Sequence, residues 1–350
     1  MDRARLTQIL NDLPNKRVAV IGDFFLDRYF IIDSELAEIS VETGLTVHQV
    51  VDIRLSPGAA GNVVANLRAL GVGNVTCVSV IGADGEGFEL RKCLDKIGAN
   101  HCNWLLERTD RFTPCYTKPM LCENGKETEL NRIDIKNRST LAAQAEDALI
   151  ERLDDLLSDV DAVIIADQVQ ERNCGTITDR VREKLCELAV KCPDKFFLVD
   201  SRVRMGEFRN VMTKPNKYEV VDAIRGNARA DADAGLAISL DEAKLCASEL
   251  QKLTSKPVFL TAQEEGIFIA DDDVIQVPGV NVEGEIDPTG AGDSCAAGIV
   301  SALCVGATPK EAALFGNLTA SITIKKIGQT GTASPTEILA QFDKAFPQKN

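Results

Sequence analysis

Short, continuously apolar runs recur along this chain, and stretches of helical periodicity separate them. Arg17-Val18-Ala19-Val20-Ile21 comes first, then Val75 to Ile81, Ala162-Val163-Ile164-Ile165, Phe196-Phe197-Leu198-Val199 and Val258-Phe259-Leu260. A strand that is apolar at every position has both faces covered, as in a parallel sheet between two helical layers. The intervening stretches Asn62 to Leu70, Phe88 to Ile97, Ala142 to Leu157, Ile177 to Val190 and Asp241 to Leu253 read as helices. This β-α-β-α order predicts a doubly wound, three-layer α/β/α fold with ligands at the carboxyl ends of the strands. Polar residues stand at those ends: Gly22-Asp23, Asp167, Asp200 and Thr261.

Two segments, 28–52 and 112–134, break the rhythm. Tyr29-Phe30-Ile31-Ile32 with Leu45 to Val51, and Cys115 to Leu121 with Glu127 to Ile133, read as short alternating strands. The second pair is expected to turn at Glu123-Asn124-Gly125. Inserted early between β-α units, they predict a small second sheet over the strand ends. It is either a lid that excludes water, an oligomerisation sheet, or both. The chain reads as one domain, 1–350, carrying this insertion.

Composition narrows the function classes. With 45% hydrophobic and 26% charged residues the chain has the balance of a soluble globular protein. No run approaches the roughly 18 apolar residues of a membrane helix, and Met1-Asp2-Arg3-Ala4-Arg5 lacks an apolar signal core. Lys and Arg number 39 against 53 Asp and Glu, a formal charge of −14, which argues against a nucleic-acid surface. An anionic ligand then needs local N–H groups, a metal ion and a few placed cations. The 11 cysteines are odd in number, no C-x-x-C pair occurs, and His48 and His101 are the only histidines. This pattern fits neither a zinc cluster nor a disulfide framework, and it suits small apolar residues in a cytoplasmic protein.

Chemistry concentrates in Asp287-Pro288-Thr289-Gly290-Ala291-Gly292-Asp293. The segment follows a strand-like, turn-punctuated stretch from Val274 to Glu285 and opens into a small-residue helix at Ser294. A glycine-rich turn feeding a helix aims N–H groups and a positive dipole end at one point, and small residues let an anion approach. Asp293 beside such a cradle suits proton abstraction from an incoming hydroxyl, as phosphoryl transfer requires; otherwise it is an ordinary helix cap. Asp27, just past the first strand, and Asn62, after the turn Pro57-Gly58-Ala59-Ala60-Gly61, suit polyol hydroxyls, or are a solvated loop residue and a cap. Asn216 and Glu219 share one side of a helix start, where they could order a hydrated hard cation or simply cap the helix. Neither a P-loop nor a G-x-G-x-x-G fingerprint is present.

Asp287 to Asp293, Gly58 to Asn62 with Val63-Val64-Ala65 and Leu70-Gly71, Gly82-x-Asp84-x-x-Gly87 and Asn216-x-x-Glu219 occur in order. Together they resemble the ribokinase (PfkB) family of sugar kinases, from about Arg17 to Leu339. The resemblance implies a ribokinase-like fold with a β lid, ATP and Mg²⁺, and transfer of the γ-phosphate to a sugar hydroxyl. It implies Asp293 as base and the Gly290, Ala291 and Gly292 amides as anion hole. Asp27, Gly58 and Asn62 would hold the sugar, and Asn216 with Glu219 would order Mg²⁺ and phosphate. Thr261 and Gly266 would border the nucleotide, Asn317 would lie beside the adenine, and Asp287 would serve a loop for a monovalent cation such as K⁺. A homodimer through the lid also follows from it.

Within the family, Gly22-Asp23-x-x-Leu26-Asp27-Arg28-Tyr29, Arg132-x-Asp134, Thr117-Lys118 and Lys326-x-Gly328 look most like the kinase module of ADP-heptose synthesis. That module phosphorylates a heptose 7-phosphate at its anomeric hydroxyl, and Lys118 and Arg132, on two lid strands, would grip the acceptor's phosphate. No nucleotidyltransferase domain is expected after residue 350. The chain departs from the pattern at Ala59, where a glycine of a pair is usual, at Gln263, often a glycine of the nucleotide loop, and at Met120, where an arginine would suit a sugar phosphate. The alternatives are another sugar or nucleoside kinase, and a non-catalytic sugar or nucleotide sensor on the same fold.

Overall fold

The computed structural model describes residues 1–123, 125–226, 237–328 and 330–347. In chain order the strands are β1 (Arg17–Gly22), β2 (Phe24–Ile39), β3 (Thr46–Ala59), β4 (Asn74–Gly82), β5 (Leu105–Arg108), β6 (Cys115–Glu123) and β7 (Lys126–Glu129). They continue with β8 (Ile133–Ile135), β9 (Ala162–Asp167), β10 (Phe196–Ser201), β11 (Met212–Thr213), β12 (Val258–Thr261), β13 (Ile267–Ala270) and β14 (Val274–Val277). The helices that position the site are α1 (Arg3–Asp12), α2 (Ala60–Ala69), α3 (Gly85–Lys96), α4 (Ala143–Ser158) and α5 (Asp179–Lys191). They are followed by α6 (Lys217–Arg225), α7 (Leu240–Thr254), α8 (Ala291–Cys304), α9 (Pro309–Thr323) and α10 (Pro335–Ala345).

Successive residues of the central strands face opposite layers, as a doubly covered sheet requires. Val18 and Val20 of β1 pack with α1, α2, α8 and α9, whereas Ala19 and Ile21 pack with α4, α5 and α7. Among the described residues nine strands form one sheet in the order β14-β13-β12-β11-β10-β9-β1-β4-β5. All neighbours are parallel from β5 to β12, and β13 and β14 add an antiparallel hairpin. The direction of winding reverses at β1, so the crevice at its carboxyl end is where such a fold binds ligands.

The second sheet runs β3-β2-β6-β7, with β8 also on β6. Its first two strands are not short: β2 has 16 residues and β3 has 14. Both run directly out of the site, β2 from the end of β1 and β3 into α2. β2 pairs parallel with β6, which places Asp27 beside Tyr116 and Tyr29 beside Lys118 on one face. The expected hairpin is β6–β7; its middle turn residue, Asn124, lies outside the described residues. Arg132 is not on a strand but in the connection from β7 into β8, which returns antiparallel along β6.

Other boundaries shift for local reasons. The strand expected from Val274 ends at Val277. Helix α8 starts at Ala291 rather than Ser294 because Gly290, at φ +76°, forms its N-cap. Helix α2 begins at Ala60 because Ala59 turns the chain at φ 52°, ψ −119°. That conformation is natural for glycine and costs an alanine on the order of 1–3 kcal/mol. Gln263, the second departure from a glycine, likewise has φ +51°. The 11 cysteines are all free thiols, and Cys77, Cys246 and Cys295 are buried. Among the described residues no helix is long and apolar enough to cross a membrane.

Candidate active site

The carboxyl ends of β1, β9 and β10, the start of α2, the turn before α8 and the inner face of the second sheet enclose a cavity of about 300 Å³. Asp27, Asn62, Lys118, Arg132, Gly290 and Asp293 all line it, from five separate stretches of chain. Asp23, the first polar residue after β1, builds its wall. Its carboxylate accepts hydrogen bonds from the backbone N–H groups of Gln168 (2.8 Å), Val169 (2.9 Å) and Thr176 (2.7 Å). Arg204, paired with buried Asp167, donates to the Val169 and Gln170 carbonyls and pins the same wall.

Asp293 lies in the first turn of α8, after the Gly290 cap, so it is not itself the cap. Asn62 likewise lies within α2 rather than capping it. Asn62 Nδ2 donates to Asp293 Oδ2 at 3.1 Å. Burial, then the nearby Asp200 carboxylate, push the Asp293 pKa up to about 7 against the opposing pull of Asn62, Lys214 and Arg202. A carboxylate poised near neutrality on the wall of such a cavity is suited to accept a proton from a bound hydroxyl. Of the three expected anion-hole amides, Ala291 N–H is engaged by the Pro288 carbonyl at 3.1 Å, leaving the turn's outward face to Gly290 and Gly292. A Cβ at Gly290 would stand 2.6 Å from Thr330 Cγ2.

Beneath this turn lies a charge that sequence reasoning overlooked. Lys214 is buried and forms an ion pair with Asp200 at 3.0 Å. A Cβ on Gly292 would sit 3.5 Å from its Nζ, so a full cation backs the positive end of α8. Burial opposes the charge most strongly, but Asp200, Cys295 and Glu219 together outweigh it and raise the Lys214 pKa. The signal was available as a lysine directly before Pro215-Asn216 at a strand end.

The far side of the cavity is basic. Asp27 is buried and its pKa is raised by burial, with Lys118 and Arg132 pulling it down. Lys118 Nζ donates to the Tyr29 hydroxyl at 3.2 Å and lies 4.8 Å from that ring's centre. Arg132 lies 4.3 Å from the Tyr116 ring centre and pairs with Asp134 at 2.7 Å. Lys136 and Arg202, unforeseen from the sequence, also line the cavity. Arg132, Asp134 and Lys136 alternate along β8 and its flanks, a period-two pattern that could have found Lys136. Met120 follows Lys118 on the same face beside Ile31 but does not reach the cavity. Gly58 does not line it either; it stands behind Asp27, where a Cβ would lie 2.6 Å from Oδ2.

The residues expected at the nucleotide gather elsewhere, beyond Lys214. Asn216 caps α6 in a reciprocal box: its Oδ1 accepts from Tyr218 and Glu219 N–H, and Glu219 Oε2 accepts from Asn216 N–H, each at 2.9 Å. Capping is therefore real, but it leaves Glu219 half-buried near Asp200 and Lys214, where burial and then Asp200 raise its pKa. Among the described residues no three His, Cys, Asp or Glu side chains form a metal cage. One or two carboxylates acting with water and phosphate oxygens is the donor set Mg²⁺ prefers, and Glu219 with Asp200 fits it.

Thr261 bonds the Pro215 carbonyl through Oγ1 at 3.2 Å. Gly266, at φ +87°, has no room for a Cβ against Val277 and Gly279. Asn317 Nδ2 donates to the Val277 and Pro278 carbonyls at 3.1 and 3.0 Å. Gly266 and Asn317 thus meet around the 277–279 loop, Thr261 stands beside Pro215, and none of the three lines the cavity. Both oxygens of Asp287 accept backbone bonds, from Thr289 at 3.0 Å and Gly328 at 3.1 Å. Its carboxylate therefore ties the turn to the 328 loop.

The sequence profile described as pfkB family carbohydrate kinase matches residues 15–337. The bifunctional protein HldE of Citrifermentans bemidjiense is 30% identical over 346 residues, covering 97% of this chain and 66% of that protein. The bifunctional protein HldE of Wolinella succinogenes is 30% identical over 335 residues, covering 94% and 65%. The chain spans about two thirds of the length of these curated relatives. Arabidopsis thaliana ribokinase, complexed with ribose and ATP, superposes with a TM-score of 0.66 at 16% identity, covering 93% of this chain and 98% of that one. Escherichia coli phosphofructokinase-2, in complex with fructose-6-phosphate, gives 0.66 at 17%, covering 94% and 99%. These two likenesses establish the ribokinase-like fold.

Proposed function

We propose, from the premise that the chain belongs to the pfkB family of carbohydrate kinases, that it transfers the ATP γ-phosphate to a hydroxyl of a sugar that already carries a phosphate. A heptose 7-phosphate, accepting at its anomeric hydroxyl, is the leading candidate. The observation that carries this reading is the cluster of three cations from the second-sheet segment, Lys118, Arg132 and Lys136, lining one cavity with Asp27, Asn62 and Asp293 in a chain whose net charge is −14. A neutral sugar has no use for such a cluster, whereas charge-assisted contacts to phosphate are strong. The likeness to the HldE proteins and the heptose-kinase motifs support the same substrate class. The Asp293–Asn62 pair favours an enzyme over a binding sensor, which needs no base.

Asp27 and Asn62 hold the acceptor hydroxyls, and Asp293 takes the proton as the acceptor oxygen bonds the γ-phosphorus. The bond to the β-bridging oxygen breaks, and ADP carries away that electron pair. Gly290, Gly292 and the Lys214 charge behind them meet the charge that develops. Asn216 and Glu219 would hold hydrated Mg²⁺, which supplies neutralisation of the phosphate oxygens. Gly266 and Asn317 shape the nucleotide side through the 277–279 loop and Thr261 through Pro215, and the Asp287 turn would be the place for a monovalent cation. The second sheet acts as the lid of a single domain.

Purified protein should use heptose 7-phosphate with a far higher kcat/KM than the unphosphorylated sugar. Lys118→Ala and Lys136→Ala should each shrink that preference by about 10–100-fold, the scale of one charge-assisted hydrogen bond. Equal or better use of ribose or fructose rejects the phosphorylated acceptor and leaves the kinase assignment intact. The lid also carries exposed Ile39, Val41, Leu45 and Ile53 on or beside edge strand β3. An apolar edge of this length calls for cover, and we assign it to a second copy of the chain in a cytoplasmic homodimer. Light scattering at micromolar concentration should give twice the mass of 37.9 kDa; a monomer mass removes the assignment.

A further inference from the structure

We infer that Arg202 is a catalytic residue whose guanidinium faces the phosphoryl group in transit, rather than a fourth member of the acceptor-phosphate grip. The other three cavity cations belong to the lid. Lys118 is held by Tyr29, and Arg132 and Lys136 lie against Tyr116 and Asp134. Arg202 instead follows the last residue of β10, and its N–H is fixed by the Asp167 carbonyl at 2.9 Å. Its Nε donates to Gln168 Oε1 at 3.3 Å, which sets the side chain along the cavity wall. There it shares the lining with Thr289, Gly290 and Asp293.

Its position relative to two carboxylates is informative. Asp293 lines the same cavity, and Glu219 lies near Asp200, two residues before Arg202. In the reading above, these residues stand at the acceptor hydroxyl and at the donor phosphates. Arg202, on the cavity wall shared with Gly290 and Asp293 and two residues beyond Asp200, stands on the side where the γ-phosphorus passes. A planar, permanently charged fork suits the equatorial oxygens of a phosphoryl group, where charge accumulates during transfer. Lys214 lies beneath the turn and acts through it, so the two cations would flank the group from different sides.

This inference rests on the kinase reading but not on the identity of the acceptor. Arg202→Ala should lower kcat by about 10²–10³-fold on whichever acceptor turns over, phosphorylated or neutral alike. Calorimetry with Mg²⁺ should show ADP affinity within about threefold of the parent, while the gain in affinity on adding aluminium fluoride, which mimics the phosphoryl in transit, disappears. Arg202→Lys should recover part of both. The fluoride measurement needs no acceptor, so failure to find the right sugar is not mistaken for failure here. A retained kcat with lost preference for the phosphorylated acceptor overturns the inference and returns Arg202 to the acceptor grip. Unchanged kinetics, or loss of plain ADP binding, also overturns it.

Discussion

Asp293→Asn lowers turnover by about 10²–10⁴-fold while ATP binding survives. The amide preserves shape and can still bond Asn62, but it cannot take the acceptor's proton. Steady-state kinetics beside calorimetry separates the two effects, and near-normal turnover on the true acceptor removes Asp293 as base. The parent enzyme should lose kcat/KM below pH 7, because the base works ionised and its pKa is pushed up to about 7. Stability moves the other way. A carboxyl whose folded pKa lies above its unfolded value stabilises the fold when protonated, and that contribution is lost as pH rises through the folded value. Between about pH 4 and pH 7 the parent therefore loses stability at this residue and Asp293→Asn does not. At pH 8 the variant should melt higher than the parent.

Lys214→Met is expected to weaken the fold by about 3–5 kcal/mol. It leaves Asp200 buried without its partner, near the Asp293 and Glu219 carboxylates. Denaturant titration should show a lower midpoint with an unchanged slope. Asp200→Asn combined with Lys214→Met should cost less than the sum of the single changes, because no lone buried charge remains. The acid limb of the Lys214→Met pH profile should also move upward, since Lys214 holds the Asp293 pKa down. A loss under about 1 kcal/mol, the scale of exposed pairs, would show that the pair does not support the turn.

The main sheet was legible because burial on both faces leaves strands such as Val18 to Ile21 with no polar position to blur them. The second sheet was legible only as an interruption: β2 and β3 outrun the apolar segments because pairing, not burial, extends them to Ile39 and Thr46. Helix starts at Ala60 and Ala291 were hidden by the glycines on either side, Gly58 and Gly61, and Gly290 and Gly292, which weaken the helix signal. Asp27, Asn62 and Asp293 could be proposed one by one, because each stands at a strand end or helix start. Lys136, Arg202 and Lys214 were passed over, since a lone lysine or arginine in sequence is usually a solvated charge. Only packing distinguishes Lys214, buried to 3% exposure, from the surface lysines.

Strand β3 joins two places that sequence leaves unrelated. Its 14 residues span about 45 Å, from the apolar rim near Leu45 to Ala59, three residues before the side chain that holds Asp293. The rod bends at a bulge where Val51 stands unpaired between Val50 and Asp52, and it ends in the strained alanine. Whatever grips the outer end thereby has a mechanical purchase on Asn62, and the acceptor has the same purchase on the rim. Any preference of a partner for one tilt of the rod must reappear, with equal free energy, as a preference of the acceptor for the partnered protein.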